Sequence, residues 1–162
     1  MDFDTDYHLI DLGAGYTTGA GVVSARLAQE TLGADRRGNL MQGFQTPYGT
    51  KHAFNGWVDM FLNTPPGGLE DRHLTLAADL SPYGVKLMAV YHRYREARGP
   101  QGGGGVRDFG SEWNIQATKQ FGANYTLGIK YGDYRADRDV ATIGTAANVD
   151  TDKFWLWGEV SF

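Results

Sequence analysis

The chain has no cysteine, which removes disulfide frameworks, thiolate nucleophiles and cysteine-based zinc sites. No apolar run approaches the roughly 20 residues that a membrane-spanning helix needs, so a helical membrane protein is excluded. Basic excess is missing as well. The formal net charge is -4, whereas a nucleic-acid binder normally shows a basic face, so no nucleic acid is expected as a partner. The glycine run at 102–105 lacks the Lys-Ser/Thr that completes a phosphate-binding loop. Ser24, Ser81, Ser111 and Ser161 have no persuasive histidine and acid partners, and the chain does not read as an enzyme. Residues 1–6 are acidic and lack the apolar core of a signal peptide.

What is present is β-forming. The 162 residues include 23 Gly, 9 Tyr, 8 Phe and 4 Trp, a balance that suits tightly turned strands better than a helical bundle. Seven stretches alternate with period two: 7–16, 21–32, 69–80, 85–95, 110–121, 125–136 and 154–162. In the fourth, Val85, Leu87, Ala89 and Tyr91 oppose Lys86, Met88, Val90 and His92; in the sixth, Tyr125, Leu127, Ile129 and Tyr131 oppose Thr126, Gly128, Lys130 and Gly132. Each is about as long as the roughly 9–11 residues of a tilted transmembrane strand. Connections alternate in length. Tight turns at 17–20, 81–84 and 122–124 carry Gly, Pro or Asn, while 33–68, 96–109 and 137–152 are long.

That pattern of short turns and long loops matches outer-membrane barrels. The closing stretch, Phe154-Trp155-Leu156-Trp157-Gly158-Glu159-Val160-Ser161-Phe162, resembles the C-terminal strand of bacterial outer-membrane β-barrel proteins. The resemblance makes Phe162, Val160 and Phe154 an assembly signal read by the barrel-assembly machinery. The expected fold is an all-β, antiparallel transmembrane β-barrel, an up-and-down meander forming a single unit over 1–162. Bacterial single-chain barrels have even strand counts. Seven strands therefore suggest a C-terminal fragment of a larger barrel, with a complete eight-stranded barrel hiding one strand within 33–68 as the alternative.

Further words carry a narrower likeness. Gly43-Phe44-Gln45-Thr46-Pro47, His52-Ala53-Phe54-Asn55-Gly56-Trp57-Val58-Asp59-Met60-Phe61-Leu62 and Gly68-Leu69-Glu70-Asp71 resemble the C-terminal region of the alginate-export family of outer-membrane porins. So do Val85-Lys86-Leu87-Met88-Ala89-Val90-Tyr91-His92, Gly110-Ser111-Glu112-Trp113-Asn114 and Leu127-Gly128-Ile129-Lys130-Tyr131. The resemblance implies a bacterial outer-membrane location, lipid as surroundings and a channel passing an anionic uronate polysaccharide. More broadly, the expectation is a channel for polar or anionic solutes, with no cofactor.

The polar faces supply the solute-path candidates: Asp11, Arg26, Lys86, His92, Glu112 and Lys130. A first hairpin centred on Thr18-Gly19 sets Asp11 against Arg26. A second centred on Pro82-Tyr83 sets Asp79 against Lys86 and His73 against His92. Opposite charges across a ladder fix register at roughly 0.2–1 kcal/mol, while a charged lining also guides ions. Two imidazoles without a third ligand make a poor metal site, so no metal is expected. Trp155 and Trp157 are expected to pack against an inserted loop before they stack on a sugar. The connection 33–68, with Phe44, Tyr48, Phe54, Trp57, Phe61 and Leu62, is too apolar for a free external loop and is expected to fold inward. Asp35-Arg36-Arg37 reads as a solvated loop tip. Two other readings stay open: a secreted β-sandwich binding carbohydrate through its tryptophans, and an outer-membrane hydrolase with Ser111 and His8 on the lipid face.

Overall fold

The computed structural model describes residues 3–46, 54–97, 107–137 and 148–162. Among them nine strands form: β1 (Tyr7–Thr18), β2 (Gly21–Leu32), β3 (Ala34–Arg37), β4 (Leu40–Gly43), β5 (Leu69–Leu80), β6 (Val85–Arg95), β7 (Asp108–Phe121), β8 (Tyr125–Ala136) and β9 (Thr151–Val160). Seven make one antiparallel sheet in the order β1-β2-β5-β6-β7-β8-β9, and β3 pairs only with β4. The protein is an all-β antiparallel meander. The sheet is open, with β1 and β9 as its two edges.

Register follows the tight turns. Thr18 lies opposite Gly21, so Gly19-Ala20 closes the first hairpin, two residues' worth of pairing away from the expected register. Arg26 therefore faces Gly13, and Asp11 faces Ala28. In the second hairpin Asp79 does face Lys86 and His73 faces His92. A short 3-10 turn, Ser81–Tyr83, joins these strands and ends at Gly84 in the left-handed region. The last strand pairs through Val160, after which the Ser161 N–H donates to the Asn124 carbonyl at 2.9 Å. Phe162 lies beyond the ladder and is fully exposed.

Alternation separates the two faces. Leu12, Leu27, Leu76, Ile115, Ile129 and Leu156 all project from one face and are all exposed. Charged and polar residues share the other face with the chain's small core. That core is Leu32, Val58, Phe61, Leu69, Tyr94, Phe109 and Tyr134, with Phe44, Met60 and Ala136 packed on it. It sits at the end of the sheet reached by the long connections, because Val58 and Phe61 come from the 54–68 segment and lie against the wall. The Phe61 ring is 4.5 Å from Tyr94, 5.8 Å from Phe109 and 6.0 Å from Tyr134, within the range where ring pairs attract.

Two local features depart from simple alternation. Between β6 and β7 the ladder shifts, Tyr94 pairing with Gly110 and Arg95 with Asp108. The extra residue, Phe109, is thereby turned into the core, as bulges do when they re-aim a side chain. The β3–β4 hairpin is the other. Asp35, Arg36 and Arg37 belong to β3 instead of a loop tip, and Gly38-Asn39 make the turn. The alternation rule misses strands of four residues. Tyr48 and the 102–105 glycine run lie outside the described residues.

Truncating Phe61 leaves a cavity between segment and sheet. Phe61→Ala is expected to destabilise the folded protein by about 3–5 kcal/mol, whereas Phe54→Ala, at an exposed position, should cost little. Denaturant unfolding in detergent micelles measures both.

Candidate functional site

The segment after residue 53 crosses the polar face and is pinned there by named contacts. The Val58 N–H donates to Glu112 Oε1 at 2.9 Å, and the Tyr94 hydroxyl lies 3.5 Å from Glu112 Oε2. The Asn55 amide donates to Glu30 Oε2 at 2.9 Å, and the Tyr7 hydroxyl to Glu30 Oε1 at 3.0 Å. Lys153 reaches Asp59 at 2.8 Å. Asn55 and Asp59 both hold positive φ, at 53° and 67°, a conformation that costs non-glycine residues energy and that these two contacts help offset. Gly56 between them has φ 88°, and a Cβ there would stand 2.2 Å from the Tyr94 hydroxyl and 2.4 Å from Glu112 Oε2. Only glycine fits.

Under this segment lies a cavity of about 330 Å³. Asp11 and Arg26 line one side, Asp71, His73 and His92 the other, with Phe54 and Trp57 above. Three of the six expected solute-path residues, Asp11, Arg26 and His92, line this cavity. Arg26 Nε is 3.2 Å from Asp11, a diagonal contact across the ladder. His92 is buried and its Nδ1 is 2.9 Å and 3.0 Å from the two oxygens of Asp71. The other three lie elsewhere. Lys86 stands near the turn end, 3.2 Å from Asp79. Lys130 Nζ sits 4.8 Å from the ring centres of both Trp57 and Trp155, a cation–π sandwich. Glu112, wholly enclosed, contacts the segment's backbone and does not line the cavity.

The tryptophans act largely as the packing reading expects. Trp155 meets Trp57 of the inserted segment through Lys130. Trp157 lies flat over Gly128, where a Cβ would come within 2.2 Å of the indole. Asp71 is the residue that sequence reasoning missed. It lies two positions before His73 on β5, so both face the cavity, and it completes a set with His92. The signal was available as an Asp-x-His on a strand opposite a histidine.

No family model, curated protein or solved structure matches this chain. Its chemistry is therefore read from its own geometry. Ser111 and His8 cannot form a dyad: their strands, β7 and β1, are four strand spacings apart, about 19 Å. His8 instead lies 2.9 Å from Asp6.

Two carboxylates outside the seven-stranded sheet are shifted in opposite senses. The Asp4 N–H, donating to Asp35 at 3.0 Å, holds that carboxyl below its usual value, with Arg37 assisting. Burial pushes Glu96, packed on Gly67, above its usual value of 4.5, and one of its oxygens has no hydrogen-bond partner among the described residues.

A methyl group at position 56 should lever the segment off the sheet. Gly56→Ala is expected to expose 54–66 to limited proteolysis while strand content by circular dichroism stays near that of the parent. Glu96 gives a pH prediction. Its folded pKa is raised, so its contribution to stability is complete below about pH 4.5 and is lost as pH rises through the folded value. Glu96→Gln should remove that loss, leaving the variant more stable than the parent at neutral pH in denaturant titrations run across this range.

Proposed function

We propose that this chain forms wall and constriction of a bacterial outer-membrane β-barrel channel for polar or anionic solutes. One observation carries the reading. Seven adjacent strands present an apolar band, interrupted in its turn-end row by Lys119 opposite Val85 and Leu127, that nothing among the described residues covers. Its breadth is six strand spacings, about 29 Å, and its height along β8 from Tyr125 to Tyr131 is about 20 Å. That is roughly 600 Å² in projection, at the upper end of the largest patches on soluble monomers before side-chain relief is counted.

The band's margins fit a bilayer. Tyr91 and Trp113, with ring centres 4.8 Å apart, and Tyr131 lie toward the long connections; Phe121, Tyr125 and Phe162 lie at the turn end. Aromatic girdles of this kind flank the lipid-facing band of outer-membrane barrels. Beyond Tyr91 and Tyr131 the same face becomes charged, with Arg72, Arg93, Asp133 and Arg135. A β-sandwich would have to seal this band under a second layer.

The opposite face then lines the lumen, narrowed by the 54–68 segment. Arg26, Lys86 and Lys130 are among the cationic groups of this face, and the first two are partly neutralised by Asp11 and Asp79. The likeness to the alginate-export family makes a uronate polymer one cargo within this class. Phe162, Val160 and Phe154 serve as the assembly signal, and the unpaired edges of β1 and β9 close against further strands, since lipid leaves no backbone group unsatisfied.

Insertion tests the reading directly. Leu127→Arg, on the apolar band, should cost about 2–4 kcal/mol of insertion, seen as loss of heat-modifiable, membrane-embedded protein. Thr126→Arg, on the other face, should insert normally. A complete protein that is monomeric in water without detergent would overturn the proposal. In planar bilayers, Arg26→Glu should shift ion selectivity toward cations.

A further inference from the structure

The geometry points to a binding site for a single first-row divalent metal ion of the zinc class, ligated by Asp71, His73 and His92. The three residues come from adjacent strands. Antiparallel pairing sets His73 directly across from His92, and Asp71 shares their face two residues away on β5. Their candidate ligand atoms all lie within 4.8 Å of one another. Bonds of about 2.0–2.1 Å at a tetrahedral centre place ligand atoms about 3.3 Å apart. The Asp71–His92 pair, at 2.9 Å, already nearly spans that distance with a proton where the metal would sit. His73 Nδ1, 3.6 Å from Asp71, needs only a side-chain adjustment.

The surroundings support a cation. Asp71 is 1% exposed, and a carboxylate removed from water is costly unless compensated by charge and hydrogen bonds. Its only neighbours of that kind among the described residues are the two imidazoles. His73 Nδ1 is buried with no hydrogen-bond partner among the described residues, and its nearest acid oxygen is Asp71 Oδ2 at 3.6 Å, which leaves that nitrogen on the cluster's side. The Tyr94 ring stacks on His92 at 5.5 Å and 15°, which fixes the imidazole plane. Two nitrogens and one oxygen suit zinc and its transition-series neighbours, whereas calcium and magnesium prefer all-oxygen sets. The fourth position opens into the cavity of about 330 Å³, where water completes the shell. The site rests on two strands and is independent of what the sheet borders or what passes it.

The competing description is a carboxylate–imidazole hydrogen-bonded unit without metal. Titrating the full chain, folded in detergent micelles, with Co²⁺ separates the two. A metal site gives visible d–d absorption saturating at one equivalent and displaced by Zn²⁺. His73→Ala should weaken binding by about tenfold or more, since even outer partners of a metal site contribute about 10–100-fold. His8→Ala/His52→Ala, removing the two remaining histidines, should leave the titration unchanged. His73 is partly exposed, so its variant should fold, and circular dichroism checks this; His92→Ala serves as the second ligand test if it also folds. Absence of a saturable band, or a band unaffected by His73→Ala in folded protein, would overturn the proposal.

Discussion

Strand register is the constraint on which everything else in this molecule rests, because side-chain facing has a period of two and a slip by one residue would exchange the faces. Asp11, Ala28, His73, His92, Glu112 and Tyr134 form one row across six strands. The row beside it runs Leu12, Leu27, Leu74, Tyr91 and Trp113. One row meets the inserted segment and the other meets whatever surrounds the protein. The three tight turns hold this offset. A change of one residue in the turn between β5 and β6 would bring the leucines of one strand under the segment and turn its histidine outward.

Register explains the faces but not why the core lies at one end. The core exists because the 54–68 segment returns across the sheet there, and its attachment mixes apolar and polar contributions. Phe61 and Val58 fill space among Tyr94, Phe109 and Tyr134, while Glu112 accepts the Val58 N–H. The Tyr134 hydroxyl donates to the Phe109 carbonyl, holding the bulge that turns Phe109 inward. Toward the turn end no such layer is found among the described residues, and Asp79, Lys86 and Thr118 line an open recess. Among the described residues one half of the polar face is thus packed and the other is open.

The strands of the large sheet were legible because each is long enough for alternation to repeat several times. β5, β6 and β8 have the bounds that their patterns predict, and the His73–His92 and Asp79–Lys86 pairs follow from the turn between them. The first turn was misplaced because Thr17-Thr18-Gly19-Ala20 offers two centres of similar chemistry, and sequence does not choose between them. Even so, Arg26 and Asp11 meet, since long side chains reach diagonal neighbours. Short β3 and β4, the bulge at Phe109 and the enclosure of Glu112 were illegible. Each depends on contacts between residues far apart in sequence. Asp71 was legible in principle, as the partner on the same face as His73, but its burial appears only once the inserted segment and β6 are in place.

The height of the charged belt ties the two faces together. On the outward face Arg72 is 2.9 Å from Glu70, Arg93 pairs with Asp108, and Arg135 lies 2.9 Å from Asp133 and 3.2 Å from Asp152. Partly exposed pairs of this kind contribute little stability, about 0–1 kcal/mol each. Their information lies in position, because they end the apolar band at one level on β5, β6 and β8. Asp71 sits between Glu70 and Arg72 in the chain, and His92 between Tyr91 and Arg93. The Asp71–His73–His92 cluster therefore stands at the level where the outward face turns from apolar to charged. If that face borders lipid, the cluster is at the wet margin of the wall and under the inserted segment. A cation arriving from the long-connection side would reach it without passing the length of the apolar band.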